Sequence, residues 1–327
     1  MPNENERLDR RVSAPDILRA AQNIRPVIRA TPLDRSMELS GLVGAEVRLK
    51  LENQQATGSF KLRGAANVIA HLDDRERATG VIAPTAGNHG LALAQAGRAA
   101  GVPVTICLPR TADPMKIAAM TANAAQIEFF DGIEEARQAA LAQAHQGGAR
   151  FVSAYDNPQM IAGGGTVGLE ILTDWVDVQV ILVCIGGGGL ASGIATIAKA
   201  INPDVEIWAI QSEVSPTFIR WKQAGTQVQV DLAPSIAEGI SGFIEPGTMT
   251  WPMVRDRVDR VLPVTEAEIR GAMLWMLDHH QQVVEPSGAA AVAGAIRYAD
   301  SLAGRRTAAV VTGGNVSGAR YRALLQA

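Results

Sequence analysis

The sequence predicts an α/β protein with two open, twisted, mainly parallel sheets, each covered by helices on both faces. Three observations point there. Short β-rich runs alternate with longer Ala-rich helical runs along the whole chain. The apolar runs are nearly continuous rather than alternating, the pattern of strands buried on both faces. The stretch from Val81 to Ala154 holds about four βα units by itself, enough for a separate small sheet.

In chain order, EVRLKLEN is a strand and LRGAANVIAHL a helix. GVIAPT leads into HGLALAQAGRAAG, VPVTICLP into PMKIAAMTANA, QIEFF into EEARQAALAQAHQ, and RFVSAY into MIAGGGTVGLEILTDW. VQVILVCI then precedes LASGIATIAKAI, VEIWAI follows, and RVLPV comes before a helix that starts at Thr265. Thr265 with Glu268 makes a capping box, in which side chain and backbone answer each other's orphan amides. AAVVTGG is the last strand. No fixed-period repeat or low-complexity linker interrupts the series. A cleft between two such sheets is a natural place for a site.

Composition closes off other classes. With 47% hydrophobic and 19% charged residues, the chain is too apolar to stay disordered. Two cysteines, Cys107 and Cys184, cannot build a disulfide framework, and both sit in apolar runs as reduced core thiols. That fits a reducing cytoplasm. Thirty Lys and Arg against 33 Asp and Glu give a net charge of −3 with no basic tract, so no nucleic-acid partner is expected. No apolar signal core follows MPNENERLDRR. No apolar run reaches the roughly 20 residues of a membrane helix.

ATGSFKLRGAAN places Lys61 after a Gly-Ser turn and at a helix start, where positive dipole density disfavours a cation. One reading is a Schiff-base lysine activated by burial and a positive field. The other is a solvated first-turn lysine, and on this residue alone it is the commoner case.

VILVCIGGGGLASGIATIAKA reads as strand, four glycines (Gly186, Gly187, Gly188, Gly189), helix. Consecutive glycines let backbone amides converge on an anion, and the helix start adds partial positive charge. A merely tight turn seldom needs four, since each costs conformational entropy on folding. Gly186, Gly188 and Ala191 also match a loose dinucleotide pattern. That pattern wants an acid at the end of the next strand, but VEIWAI ends at Gln211 and has Glu206 near its start. The loop suits a single phosphate monoester better. VIAPTAGNHG presents Thr85, Asn88, His89 and backbone amides at a helix start, suited to a carboxylate; Asn88 or Thr85 would otherwise be the N-cap. AAVVTGGN ends a strand on Thr312, Gly313, Gly314 and Asn315, either as a hydroxyl facing the cleft or as a plain turn.

The order of these segments says more than any one of them. TGSFKLRGA, TAGNHG, GGGGL, VEPSGAA and TGGN, in that order, resemble the fold-type II PLP enzymes, and among them the serine/threonine dehydratase (threonine ammonia-lyase) and serine racemase group. The likeness runs from Thr31 to TGGNVS near the C-terminus. It implies a tryptophan-synthase-β-like fold with a large PLP-binding domain over 1–79 and 157–327 and a small mobile domain over 80–156. It implies pyridoxal 5′-phosphate as cofactor, held by Lys61 as a Schiff base. Phe60 would pack under the pyridine ring, Asn88 bond the ring oxygen, and Thr312 meet the ring nitrogen. Gly186, Gly187, Gly188, Gly189 and Leu190 would cup the phosphate. Thr85, Gly87, Asn88 and His89 would hold the substrate carboxylate. A neutral hydroxyl at the ring nitrogen gives a weaker electron sink than an acid, sufficient for elimination.

The activity so implied is α,β-elimination from a β-hydroxy L-amino acid, threonine- or serine-like, to a 2-oxo acid and ammonia. Lys61 would take the α-proton, with the PLP phosphate as proton donor to the leaving hydroxide. Alternatives are a serine racemase, a dehydratase for bulkier phenylserine or hydroxyaspartate, and a binding protein with a vestigial phosphate cup. The partner is a small amino acid, the assembly a homo-oligomer (dimer or tetramer), the location cytoplasmic. Several positions depart from the pattern of the family or of its racemase members. Gly164 replaces the usual Gln and implies a wider or looser site. Ala124 replaces Gly, a packing change. The acids that hold a divalent cation in racemase-like members fall on Gln211 and Thr217, so no metal is expected. Ala86 stands where racemases carry a serine that serves the second face of the carbanion, and a methyl group cannot carry a proton.

Overall fold

A computed structural model describes residues 12–326. The absence of a signal core was read from MPNENERLDRR, which lies outside the described residues, as do the outermost ends of the expected large domain. The strands are β1 (Leu33–Arg35), β2 (Glu46–Leu51), β3 (Val81–Pro84), β4 (Val104–Pro109), β5 (Gln126–Phe130), β6 (Arg150–Phe151), β7 (Val180–Cys184), β8 (Glu206–Ser212), β9 (Arg260–Val264) and β10 (Arg306–Val311). They form a larger sheet in the order β1-β2-β10-β7-β8-β9 and a smaller one in the order β5-β4-β3-β6. Every neighbouring pair is parallel except β1 with β2. The antiparallel β1 is a three-residue edge strand, LDR, too short and polar for its pattern to be read.

The continuous apolar runs have a simple cause. Successive side chains of a strand point to opposite faces, and in the larger sheet both faces are covered. Val180, Leu182 and Cys184 of β7 join Leu49, Ile210 and Val311 in one buried cluster. Ile181 and Val183 join Ile207, Ala209 and Val310 in the other. The expected capping box is present: Thr265 Oγ1 accepts the Glu268 N–H at 3.1 Å, and the Glu268 carboxylate accepts the Thr265 N–H at 2.7 Å.

Five helices position the cleft: α1 (Lys61–Ala70), α2 (Asn88–Ala100), α3 (Pro158–Asp174), α4 (Gly189–Ile201) and α5 (Pro286–Arg297). α1 buries Leu62, Ala65, Val68 and Ile69 against Val81, Ala83, Val104 and Ile106 of the smaller sheet. α3 packs between α1 and α4 at distances that exclude side chains. A Cβ on Gly163 would lie 2.4 Å from the Arg63 carbonyl oxygen, and one on Gly193 2.4 Å from that of Ile161. The middle glycine of GGG, Gly164, is less constrained: a Cβ there would meet Leu190 at an ordinary 3.5 Å.

Arg63 anchors α1. Fully buried, it holds Glu52 through Nε and Nη2 at 2.8 Å each, and Glu170 through Nη1 and Nη2 at 2.7 and 2.8 Å. Lys50 completes the set, 2.6 Å from Glu170 and 2.6 Å from the Thr31 carbonyl. Ala124 needs a correction. Its φ is +61°, in the left-handed region. Alanine in place of glycine there is a matter of backbone strain, about 1 kcal/mol or more, rather than of packing alone.

Candidate active site

Strand ends of both sheets and the starts of α1, α2, α4 and α5 enclose a cavity of about 540 Å³. Phe60, Lys61, Thr85, Gly87, Asn88, His89, Gly186, Gly187, Gly188, Gly189, Leu190 and Thr312 all line it, as does Ala86. Segments separated by more than a hundred residues thus meet at one place. Gly164 does not line it, so any effect on cavity size passes through Leu190.

Lys61 is the first residue of α1. Its Nζ donates to the Ala154 carbonyl at 2.8 Å and lies 5.1 Å from the Phe60 ring centre. Burial pulls its pKa down to about 8, while Cys184 and Glu285 pull the other way. Burial, rather than the helix dipole alone, therefore weakens the cation.

The four glycines run from the end of β7 into α4. Gly188 has φ +87°, and a Cβ on Gly187 would lie 2.2 Å from the Tyr155 ring. Thr250 Oγ1 donates to the Gly187 carbonyl at 2.8 Å, pinning the loop. Among the described residues, no backbone acceptor answers the amides of Gly187, Gly188, Gly189 and Leu190. Converging free amides at a helix start make an anion cup. Thr312 follows β10 and is 2% exposed. Its hydroxyl lies 3.5 Å from Cys184 Sγ, an ordinary hydrogen bond to a weakly bonding sulfur, and a long 3.4 Å from the Ser287 carbonyl.

The start of α2 differs from expectation in one respect. Gly87 is the N-cap, and neither Asn88 nor Thr85 caps the helix with its side chain. Thr85 Oγ1 accepts the Gly87 N–H at 3.2 Å. Asn88 instead reaches Glu285, with Nδ2 2.6 Å from Oε1. The amides of Asn88 and His89 have no backbone acceptor among the described residues, so the site presents a second set of free donors. The His89 imidazole is 3% exposed, with Nε2 3.0 Å from the Val152 carbonyl. Burial, then Lys61, pushes its pKa down to about 3. A neutral ring is no cationic anchor, so His89 can serve a carboxylate through its amide only.

Four residues of the site were given no role in it from the sequence. Cys184, taken as a core thiol, lines the cavity with its thiol pushed up to about 11, chiefly by burial. Tyr155 walls the glycine loop, and Asn315 bonds Asn88 Oδ1 at 2.8 Å. Glu285 is 9% exposed, and burial raises its pKa to about 7. Its signals were a lone charge in QQVVEPSGAAAVAGA and its place in the VEPSGAA motif, neither of which gave it a role.

A weakened buried amine, an anion cup of backbone amides and a neutral hydroxyl around one cavity define an enzyme that holds a phosphorylated aldehyde cofactor, and these residues fit pyridoxal phosphate. The chain belongs to the pyridoxal-phosphate dependent enzyme family, whose model matches residues 24–313. It is 40% identical over 306 residues to an L-threonine ammonia-lyase of Thermotoga maritima, covering 93% of this chain and 76% of that protein. It is 35% identical over 312 residues to an L-threo-3-hydroxyaspartate ammonia-lyase of a Pseudomonas species, covering 95% and 98%. Maize serine racemase has a similar structure, with a TM-score of 0.91 at 33% identity over 96% of this chain and 97% of that one.

Proposed function

We propose that the chain is a PLP-dependent ammonia-lyase that converts a β-hydroxy L-amino acid, threonine- or serine-like, into a 2-oxo acid and ammonia. The observation that carries this reading is the pairing of Lys61, an enclosed amine with a pKa near 8, with Ala86, a methyl group in the loop that leads into α2. One proton carrier and no second at Ala86 suit elimination.

PLP, when bound, supplies an electron sink that acidifies the α-hydrogen of an amino acid. Lys61 would hold its aldehyde, Gly186 to Gly189 and Leu190 its phosphate, and Thr312 its ring nitrogen. Phe60 would lie against the ring, and Asn88 would donate to the ring oxygen. The free amides of Asn88 and His89, with the Thr85 hydroxyl and the Gly87 backbone, would receive the substrate carboxylate and so turn the α-hydrogen toward Lys61. A neutral amine near pH 8 can take that proton, and positioned proton transfer contributes about 10²–10⁴ in rate.

Residues 80–156 would move as the small domain, in a cytoplasmic homo-oligomer; small-angle scattering with and without substrate tests the motion. Racemisation is the second reading, favoured by the likeness to maize serine racemase. The test of function is 2-oxo acid release from L-threonine, L-serine, threo-3-hydroxyaspartate and phenylserine by the PLP-loaded protein. Release from at least one is expected. None from any of the four overturns the reading.

A further inference from the structure

One polar network at the cavity ties Asn88 to two residues that have no part in the chemistry above. It joins three distant segments: Asn88 at the start of α2, Glu285 just before α5, and Asn315 in the turn after β10. Asn315 Nδ2 donates to the Thr57 carbonyl at 2.7 Å and to Asn88 Oδ1 at 2.8 Å. Asn88 Nδ2 donates to Glu285 Oε1 at 2.6 Å.

The partners decide which way each amide points. A carbonyl oxygen can only accept, so Thr57 fixes the nitrogen of Asn315. That nitrogen demands an acceptor from Asn88 and so fixes the Asn88 oxygen. The Asn88 nitrogen must then face Glu285. Two hydrogens sit on that nitrogen, and Glu285 takes one. The other has no partner among the described residues, on a side chain that lines the cavity.

Glu285 is built into place. Its backbone N–H donates to the Gly313 carbonyl at 3.1 Å, and a Cβ on Gly313 would stand 2.4 Å from its Oε1. Only glycine beside Thr312 leaves room for the carboxylate. We infer that Glu285 and Asn315 are positioning residues that lock the Asn88 amide with its remaining N–H presented to the oxygen of the bound cofactor. The inference rests on the reading of Asn88 as a cofactor-binding residue. Burial first, then Glu238, raises the Glu285 pKa to about 7, while Lys116, the Asn88 amide and Lys61 lower it. The lock is strongest where the carboxylate is charged, because bonds to an ionised acceptor are the stronger ones.

The experiment titrates apoprotein with PLP, reading the dissociation constant and the position of the visible absorption band. Asn88→Ala and Glu285→Ala should each weaken binding about tenfold, the loss expected from one good hydrogen bond, and shift the band alike. The double variant should add less than about twofold to either single, since two members of one network do not add. Glu285→Gln keeps an oxygen that accepts from Asn88 and should stay within about threefold of the parent. If Glu285→Ala does not fold, Asn315→Ala takes its place with the same expected tenfold loss. If Asn88→Ala weakens binding while Glu285→Ala and Asn315→Ala do not, or if the double variant is additive, the positioning role is overturned and the cofactor reading stands. If Asn88→Ala changes neither constant nor band, the reading of Asn88 falls and the inference with it.

Discussion

Lys61 and Arg63 stand two positions apart on the first turn of α1, and their buried surroundings are opposite in kind. Around Arg63, four charged hydrogen bonds of 2.7–2.8 Å tie the guanidinium to Glu52 and Glu170. Burial works against its charge, yet those carboxylates hold its pKa above the ordinary value. Burial likewise works against the charge of Glu170, but Arg63 and Lys50 keep its pKa low. Around Lys61 the ammonium has a neutral carbonyl partner, Ala154, and burial prevails, pulling its pKa to about 8. The same turn thus carries a saturated anchor and an unsaturated reactive group. A protein that must present a reactive amine in a fixed place needs both, since under-partnered charge costs stability that a neighbour must supply.

The largest effect should come from Lys61→Ala. With PLP supplied, 2-oxo acid release should fall by at least about 10⁴-fold, while the melting temperature of the apoprotein holds or rises. An unchanged rate, or a large loss of stability, would erase the contrast with Arg63.

Arg63→Met tests the other half. It strands the buried Glu52 charge, leaving Glu170 with Lys50 alone, and should destabilise the fold by about 3–5 kcal/mol, read as a lower urea midpoint. Replacing Glu52 along with Arg63 by apolar residues, with the Glu170–Lys50 pair left in place, should restore part of that loss. A variant as stable as the parent would show that the anchor is dispensable.

Ala86 sharpens the reactive side. D-serine should form from L-serine at least about 100-fold more slowly than 2-oxo acid, as followed by chiral chromatography. D-enantiomer at a rate rivalling the oxo acid would mean a second proton carrier at the cavity.

The smallest effect is in pH, and here the two regions oppose each other. Folding raises the Glu285 pKa from 4.5 to about 7. Its contribution is therefore full below pH about 4.5 and lost as pH rises through 7. Folding lowers the Glu170 pKa, so its contribution is present above about 4.5 and lost as pH falls. His89, its pKa pushed down to about 3, works the other way up to about pH 6.5, so the reading is a difference between proteins: from pH 5.5 to 7.5 the urea midpoint of the parent apoprotein should fall relative to that of Glu285→Gln. The same change in both proteins would put the titration elsewhere.

Much of this was legible in the sequence because it is local. The Thr265–Glu268 capping box, the glycines between β7 and α4, and the two-face burial of β7 are written in neighbouring residues. Lys61 could be placed at a helix start but not inside a cavity, because its burial depends on Ala154 and Glu285, far along the chain. Asn88 has the composition of an N-cap. What it binds instead is 197 residues away in Glu285. Cys184 was read correctly as buried, but an apolar run does not distinguish a strand end in the core from one that opens on a cleft. Ala124 could be seen to replace a glycine, while its positive φ belongs to backbone geometry.

The most direct measurement of the contrast between the reactive amine and the paired charges around it is chemical. Apoprotein loaded with PLP is reduced with borohydride, digested and mapped for the pyridoxyl label. The expected result is one label on Lys61, with none on the buried and paired Lys50. Label on Lys50, Lys116, Lys199 or Lys222, with Lys61 unmodified, would contradict the assignment of Lys61 as the amine that holds the cofactor.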